Sequence, residues 1–218
     1  MNVAIVLFDG FDDLDAIGPF EVFDHARAAG ADLSVGLYTL EPQAVVTSSH
    51  GLRIQPHGVL PAPSPEAGPE PGEDENSETD TPDLLLVPGG GWSSGAEASV
   101  RTEVERGDLP AAIARYHDAG TTVASVCTGA MLLAAAGLTD GRPAVTHHSA
   151  IEDLEAAGAE LVDARVVDDG ALVTAGGITA GLDLALHLVD REFGSELARQ
   201  VAREMEYDPQ GEVVTGSG

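Results

Sequence analysis

The stretch Thr121-Thr122-Val123-Ala124-Ser125-Val126-Cys127-Thr128-Gly129-Ala130 contains the single cysteine of this 218-residue chain. Its first half has the apolar, β-branched character of a buried strand, and it passes directly into small residues and a helical pattern. A cysteine at such a strand-to-helix elbow lies at the sheet edge beside free backbone N–H groups, which favour the thiolate. The stretch therefore predicts that Cys127 is a nucleophile. The alternative, a cysteine packed as a small apolar side chain, stays open on this stretch alone.

Strand and helix patterns alternate on both sides of this elbow. Short continuous apolar runs are typical of strands buried on both faces of a parallel sheet, and apolar residues spaced three and four apart are typical of helices. Strands are predicted at 3–8, 32–40, 84–87, 122–126 and 144–146, hairpins at 45–55 and 165–174, and helices at 15–29, 109–119, 130–136, 179–193 and 195–205. This alternation predicts an α/β fold, with a mostly parallel sheet sandwiched by helices.

The composition predicts one acidic domain spanning residues 1–218. Ten basic residues, all arginine, stand against 37 acidic ones, for a formal net charge of −27. Such a surface is typical of a halophilic protein, because concentrated salt screens the self-repulsion. The charge opposes binding to nucleic acid and to anionic membranes. Since the first residues read as a strand without a basic leader, and no apolar run is long enough to span a bilayer, we expect a cytoplasmic protein.

One segment breaks the alternation of strand and helix. Residues 61–82 are rich in proline and acidic side chains and cannot contribute to a core. We expect a disordered, solvated loop inserted between two strands. The alternative, a docking segment for a basic partner, is the less favoured interpretation.

Three segments follow strand ends at which the parallel strands of an α/β sheet place their ligands. They are residues 9–19, Pro88-Gly89-Gly90-Gly91 and Cys127-Thr128-Gly129. The glycines let the backbone approach a ligand closely, so the amides of Gly89, Gly90 and Thr128 could together hold a developing negative charge. An ordinary glycine turn is the alternative for the second segment.

Two side chains are candidates for moving a proton to or from Cys127. Asp15 follows the first strand, and a carboxyl group desolvated beside a thiolate would have a raised pKa and could donate a proton. Its alternative role is to cap the first helix. His147 follows the strand at 144–146 and is the residue type that commonly assists a cysteine. The adjacent His148 lacks the cysteine or HExxH spacing of a metal site, so no metal is predicted.

Six segments of the sequence form one pattern. They are Leu14-Asp15-Ala16-Ile17-Gly18-Pro19, Val87-Pro88-Gly89-Gly90, Ser125-Val126-Cys127-Thr128-Gly129, Ala134-Ala135-Ala136-Gly137-Leu138, Thr146-His147 and Gly176-Gly177-Ile178-Thr179-Ala180-Gly181-Leu182-Asp183. Taken together, these segments resemble the PfpI/ThiJ superfamily, which has the flavodoxin-like, class I glutamine-amidotransferase-like fold. Within it the chain is most similar to the isocyanide-hydratase branch, including Glu206-Tyr207-Asp208-Pro209 near the C-terminus.

The resemblance implies a cofactor-independent enzyme of the hydro-lyase type that acts on a small molecule as a homodimer. It implies that Cys127 is the nucleophile, that Asp15 is its acidic partner, and that the amides of Gly90 and Thr128 form an oxyanion-type site. Gly89, Ile178 and His147 are the further substrate-binding candidates. Two alternatives remain open, a glyoxalase or deglycase-like enzyme acting on small aldehydes and an oxidative-stress sensor based on cysteine oxidation without turnover.

The chain departs from the resemblance at several positions. Thr128 stands where protease-like relatives carry a histidine, so peptidase activity is not expected. His148 stands where hydratase-like sequences tend to carry a tryptophan. The acidic insertion at 61–82 is foreign to the pattern, although extra loop length costs little. These differences leave the substrate open.

Overall fold

The structure, a computed structural model, describes residues 1–63 and 81–216. The predicted disordered loop at 61–82 therefore lies almost wholly outside the described residues. Within the described ranges, no helix is both long and apolar enough to cross a membrane. The strands are β1 (Asn2–Leu7), β2 (Ser34–Thr39), β3 (Val46–Thr47), β4 (Arg53–Ile54), β5 (Gly58–Val59), β6 (Leu84–Val87), β7 (Thr122–Val126), β8 (Pro143–Ala144), β9 (Glu160–Leu161), β10 (Val166–Asp169), β11 (Leu172–Ala175) and β12 (Val213–Thr215).

Eight of these strands form the central sheet, in the order β12-β10-β11-β7-β6-β1-β2-β5. Six of the seven neighbouring pairs are parallel, namely β12 with β10 and the five pairs from β11 through β7, β6, β1 and β2 to β5. The exception is the pair of β10 and β11, which is antiparallel across a tight turn. Almost every residue of β1, β6, β7 and β11 is buried, as expected for strands covered on both faces. The predicted mostly parallel sheet is confirmed.

Helices cover the two faces of this sheet. The helices are α1 (Asp13–Ala28), α2 (Val100–Arg106), α3 (Asp108–Asp118), α4 (Ala130–Ala135), α5 (Ile151–Ala156), α6 (Ala180–Phe193) and α7 (Ser195–Glu204). Helices α1, α6 and α7 pack together, and α2, α3 and α4 form a second group. Right-handed crossovers in opposite directions from β1 and from β6 place these groups on opposite faces.

Most predicted elements are present with boundaries shifted by one or two residues. The sequence pattern missed α2, because the short segment Val100–Arg106 buries only Val100 and has no apolar periodicity. The helix is stabilised at its two ends instead. The Ser99 side chain accepts a hydrogen bond from the Thr102 amide, and Gly107 ends the helix at φ 80°.

The strand order places the candidate site at one edge of the sheet. β1 lies between β2 and β6, so the chain leaves β1 toward one side and leaves β6 toward the other. Ligands of open α/β sheets bind at the carboxyl ends of strands at such a switch point. Here the loops after β1 and β6 meet, and the elbow after β7 adjoins them because β7 pairs directly with β6.

Gly129 lets the elbow after β7 pass close to the end of β6. A β-carbon added at Gly129 would lie 2.3 Å from the Val87 carbonyl oxygen, which backbone atoms cannot accommodate. We expect Gly129→Ala to lower the free energy of unfolding by about 2 kcal/mol or more, because the collision forces the backbone to shift. Denaturant unfolding measures this. Gly176→Ala is the control, since an added β-carbon there would meet no atom nearer than 3.8 Å. Equal stability of both variants would contradict the prediction.

Candidate active site

Cys127 is held in an unusual backbone conformation at the end of β7. Its φ of 57° lies in the left-handed region, which a residue with a side chain rarely adopts. Two hydrogen bonds fix this conformation. The Cys127 amide donates to the Gly176 carbonyl at 2.9 Å, and the Thr146 hydroxyl donates to the Cys127 carbonyl at 2.9 Å. The surrounding loops therefore determine the direction of the sulfur.

The Cys127 sulfur lies just beneath the surface, in a residue that is 6% exposed. The backbone amides of Thr128 and Ile178 are near enough to the sulfur to stabilise the thiolate, which acts to lower the pKa of the thiol. Ile178 is itself in the left-handed region, at φ 42°, and such a conformation costs about 1–3 kcal/mol for a residue with a side chain. The fold thus holds two amides on the sulfur, one of them at a strained residue, where charge would develop on thiol deprotonation.

Asp15 is fully buried in the first turn of α1 and faces the elbow. Its Oδ2 accepts a hydrogen bond from the Gly89 amide at 2.9 Å. The Cys127 thiol is near enough to stabilise the ionised carboxylate, yet Oδ1 lacks a partner with full hydrogen-bond geometry among the described residues. Burial, followed by the negative charge of Asp12, raises the pKa of Asp15 to about 8. The predicted raised pKa is confirmed, and near neutral pH this carboxyl group holds a proton.

The pKa of Cys127 moves in the direction opposite to the one that its elbow position predicts. Burial and then the charge of Asp15 raise the pKa of the thiol to about 12, although the amides of Ile178 and Thr128 act to lower it. The prediction that the elbow favours the thiolate is therefore wrong. Two amides do not compensate for the removal of the sulfur from water beside a carboxylate. The pair instead keeps its protons, which the thiol and the carboxyl group can exchange.

The backbone amides of the glycine loop after β6 are hydrogen-bonded to side chains of the site. The Gly89 amide donates to Asp15, and the Gly90 amide donates to the Thr128 hydroxyl at 3.0 Å. Of the amides considered for an oxyanion-type site, that of Thr128 lies on the sulfur, whereas those of Gly89 and Gly90 orient the two neighbouring side chains. A β-carbon at Gly89 would lie 2.6 Å from the Thr128 nitrogen, so this close approach requires glycine.

The Thr128 hydroxyl is the acceptor for an otherwise unpaired buried amide. We expect Thr128→Val to lower the free energy of unfolding by about 1–3 kcal/mol, because the Gly90 N–H would lose its partner. Thr128→Ser keeps the oxygen and should stay within about 1 kcal/mol of the original chain. Denaturant unfolding of the two variants separates the effects of the hydroxyl and the methyl group. A destabilisation of equal size in both would contradict this role.

His147 lies beside the site, but its hydrogen bonds do not go to Cys127 or Asp15. Its Nδ1 is 2.8 Å from the Ser149 hydroxyl, and its ring packs against Gly177. Burial and the neighbouring His148 lower the pKa of His147. A groove of about 910 Å³ runs along His147 and His148 to Ile178. Ile178 lines this groove, which therefore passes beside the elbow, but Cys127 and Asp15 are not among its lining residues.

Asp12, not Asp15, caps the first helix. The Asp12 Oδ1 accepts a hydrogen bond from the Leu14 amide at 3.2 Å, and α1 begins at Asp13. The alternative role of Asp15 as the helix cap is therefore wrong, because its carboxyl group points to Gly89. The support that Thr146 gives to the elbow could not be predicted from the sequence, where its place next to His147 is its only signal.

Two of the sequence segments meet at the buried side chain of Asp183. Asp183 accepts hydrogen bonds from the Tyr207 hydroxyl at 2.9 Å and from the Gln210 amide at 2.7 Å. Its Oδ2 is also paired with the Arg165 guanidinium, which in turn donates to Thr179. The C-terminal segment is thus tied to the start of α6, beside the turn that contains Ile178, and it supports the site without touching the sulfur.

Comparisons with known proteins agree with this architecture. A profile of the DJ-1/PfpI family matches residues 1–191. The chain is 35% identical over 218 residues to an isonitrile hydratase of Pseudomonas putida, a match that covers 100% of this chain and 83% of the relative. It is 28% identical over 170 residues to a deglycase of Thermococcus kodakarensis, covering 78% of this chain and 86% of that protein.

A solved structure shows the same fold. The structure of a ThiJ/PfpI family protein from Pseudomonas syringae superposes with a TM-score of 0.78 at 26% identity. The superposition covers 96% of this chain and 76% of that one.

Proposed function

Because this chain belongs to the DJ-1/PfpI family, we propose that it is a cofactor-independent enzyme that hydrates isocyanides to N-substituted formamides through a covalent bond to Cys127. One observation carries the proposal. A buried carboxyl group, Asp15, faces the single cysteine of the chain and holds a proton near neutral pH. The similarity to an isonitrile hydratase over the full length of this chain supports the choice of substrate class.

The first step starts from a protonated Cys127 thiol and a protonated Asp15 carboxyl group. The terminal carbon of an isocyanide, R–N≡C, is attacked by the Cys127 sulfur, and a carbon–sulfur bond forms as the S–H bond breaks. The same carbon gains a proton from Asp15, which recovers one from the thiol. The product is a thioimidate, R–N=CH–S–Cys127, and no net charge is created. The amides of Thr128 and Ile178 stabilise the negative charge that develops on sulfur during the proton exchange.

Water resolves the thioimidate in the second step. Asp15, protonated again after the first step, gives its proton to the thioimidate nitrogen and takes one from the water molecule whose oxygen bonds to the thioimidate carbon. The carbon–sulfur bond then breaks, the sulfur regains its proton, and R–NH–CHO leaves. One molecule of water is consumed and both side chains return to their starting states. These two steps therefore need no oxidant or reductant.

The test is to incubate the purified protein with a simple alkyl isocyanide and to follow the formamide by mass spectrometry. Assays in dilute buffer and in concentrated potassium chloride cover the salt requirement that the acidic surface suggests. A rapidly quenched sample should contain protein heavier by the whole mass of the isocyanide, with the adduct on Cys127. Absence of both formamide and adduct would refute the proposal.

A deglycase or glyoxalase activity is the second candidate, and the relative in Thermococcus kodakarensis favours testing it. This activity would have His147 and an acidic partner act together on a dicarbonyl substrate. The hydrogen bonds of His147 go to Ser149 rather than to Cys127 or Asp15, which supports the hydratase proposal over this one. Parallel assays with methylglyoxal and an alkyl isocyanide distinguish the two.

The active species is proposed to be a homodimer with its sites near the subunit interface. Leu14, Ile151 and Ile178 are large apolar side chains that are each more than a third exposed. Ile178 borders the sulfur directly, and Leu14 lies next to Asp15 in the chain. Light scattering coupled to size-exclusion chromatography would give the mass in solution, and a monomeric mass would contradict this part of the proposal.

A further inference from the structure

The turn of residues 176–179 packs against the elbow of Cys127, although the two are distant in the chain. The Cys127 amide donates to the Gly176 carbonyl at 2.9 Å, so the position of this turn fixes the backbone of the elbow. Ile178, at φ 42°, is the strained residue of the turn, and its side chain is exposed. A strained backbone keeps its conformation only where the surrounding structure holds it.

Arg165 contacts this turn at both of its ends. Its carbonyl oxygen accepts a hydrogen bond from the Gly176 amide at 3.0 Å, which extends the pairing of β10 with β11. Its guanidinium donates through Nη2 to the Thr179 hydroxyl at 2.9 Å. The strained Ile178 lies between these two contacts. Both the backbone and the side chain of Arg165 therefore hold the turn.

The Arg165 guanidinium is itself fixed by the buried carboxylate of Asp183. Its Nε donates to Asp183 Oδ2. The Tyr207 hydroxyl donates to the same oxygen at 2.9 Å, and the Gln210 amide donates to Oδ1 at 2.7 Å. A planar guanidinium with acceptors in fixed directions has little freedom to rotate. The contact with the turn is therefore made by a side chain that is already held in place.

The rest of the turn agrees with this role. A β-carbon added at Gly177 would lie 2.5 Å from His147 Cδ2, so the turn is packed closely against the His147 ring as well. Thr179 is the N-cap residue of α6, but its side chain accepts no hydrogen bond from the helix. Its hydroxyl is thus used for the contact with Arg165 and not for the helix capping that threonine commonly provides.

We propose that Arg165 is a positioning residue that holds the strained turn of residues 176–179 against the elbow of Cys127. The turn carries the Ile178 amide, which lies near the sulfur. Because the guanidinium donates to Asp183 and Thr179, Arg165 acts on the sulfur through the turn. The effect of Arg165 on catalysis rests on the proposed function, whereas its effect on the turn does not.

The test compares Arg165→Gln with Arg142→Gln. Arg142 is the matched control, because it forms an ion pair with Asp169 at the other end of β10 and its side chain is 28% exposed, against 27% for Arg165. Amide hydrogen exchange, followed residue by residue by NMR, reports how firmly the Cys127 amide is held on Gly176. Unfolding in denaturant and the values of kcat and KM with an alkyl isocyanide are measured in parallel.

We expect Arg165→Gln to speed exchange of the Cys127 and Gly176 amides about tenfold or more, because the turn can then open without breaking a contact to the guanidinium. In the same variant kcat should fall about 10- to 100-fold while KM stays within about threefold, since misplaced groups around the sulfur slow the chemical step. Arg142→Gln should leave exchange at the elbow and kcat within about twofold of the original chain. Equal changes in both variants would indicate a merely structural role and would overturn the inference.

Two substitutions of Thr179 test the contact while leaving the pair of Arg165 and Asp183 intact, and they serve even if Arg165→Gln does not fold. Thr179→Val removes the acceptor for the guanidinium and should speed exchange of the Cys127 amide about threefold or more. Thr179→Ser keeps the hydroxyl and should leave the exchange rate unchanged. Unchanged exchange in Thr179→Val, or an equal change in both variants, would overturn the inference.

The readouts separate this inference from the proposed function. Faster exchange at the elbow in Arg165→Gln, in a protein that forms no formamide, would support the role of Arg165 in holding the turn and would refute isocyanide hydration. Formamide production with an unchanged kcat in that variant would support hydration and would overturn the inference, whatever the exchange rates.

Discussion

Replacing Cys127 by serine is expected to reduce isocyanide turnover by more than about 10³-fold, because a hydroxyl in the same position is a far weaker nucleophile than sulfur. The fold should persist, since serine is slightly smaller and the elbow is held through the backbone contacts of Gly176 and Thr146. Initial rates of formamide formation measure the effect. No covalent adduct should be found after quenching.

Ser125→Ala is the matched control for this substitution. Ser125 is fully buried two positions earlier in β7, and its hydroxyl has no hydrogen-bond partner among the described residues. Removing an unpaired buried hydroxyl should leave turnover unchanged and stability the same or slightly higher. If Cys127→Ser turned over substrate at nearly the rate of the original chain, the sulfur would have no chemical role, and the rate of the control would not change this conclusion.

Asp15→Asn is expected to abolish turnover while making the protein more stable at neutral pH. In the original chain, activity should fall as pH rises through about 8, because the carboxyl group then loses the proton that it donates to carbon. An amide cannot donate that proton at any pH in this range. Between pH 6 and pH 9, the rate of the original chain should therefore decrease as pH rises. The rate of the variant should stay at background over the whole range.

The gain in stability follows from the direction of the pKa shift. Asp15 has a pKa of about 8 in the folded chain, against an ordinary value of 3.8, so the folded state binds its proton more tightly than the unfolded state. Stability is greatest below the unfolded pKa and is lost as pH rises from about 4 toward about 8. By pH 7 the loss is on the order of 4 kcal/mol, at about 1.4 kcal/mol for each pKa unit.

Asp15→Asn should recover most of that loss, and its free energy of unfolding should depend less on pH between pH 4 and pH 8. Urea unfolding at a series of pH values measures both effects. Glu21→Gln serves as the control, because Glu21 is an exposed carboxylate on the same helix and its replacement should change stability by no more than about 0.5 kcal/mol. A variant less stable than the original chain at pH 7 would contradict the raised pKa.

The fold could be predicted from the sequence because its signals are local. The buried strands Leu84–Val87 and Thr122–Val126 are continuous apolar runs, and their boundaries agree with the prediction to the residue. Each glycine-rich turn follows directly from such a run. Where a local signal was absent, as in α2, the prediction failed, because that helix is held by its ends and not by an apolar face.

The candidate site could be predicted only in part. Local pattern placed Cys127 at an elbow and Asp15 in a loop at a strand end, and the strand order brings them together as expected. The choice between Asp12 and Asp15 as the helix cap could not be made from sequence, since both are aspartates at suitable positions. The approach of Gly89 to Asp15 decided it, and that contact joins residues 74 positions apart.

By itself the sequence determined the order of strands and helices, the position of the single cysteine and the acidic surface, because each depends on residues that are neighbours in the chain. The tertiary structure alone decided the protonation of the pair and the donors on the sulfur. Burial of Cys127 and Asp15 is a property of the packed sheet, and the amide of Ile178 reaches the sulfur from 51 positions away. Desolvation and the repulsion between like charges depend on such distances through space, which no local pattern of residues records.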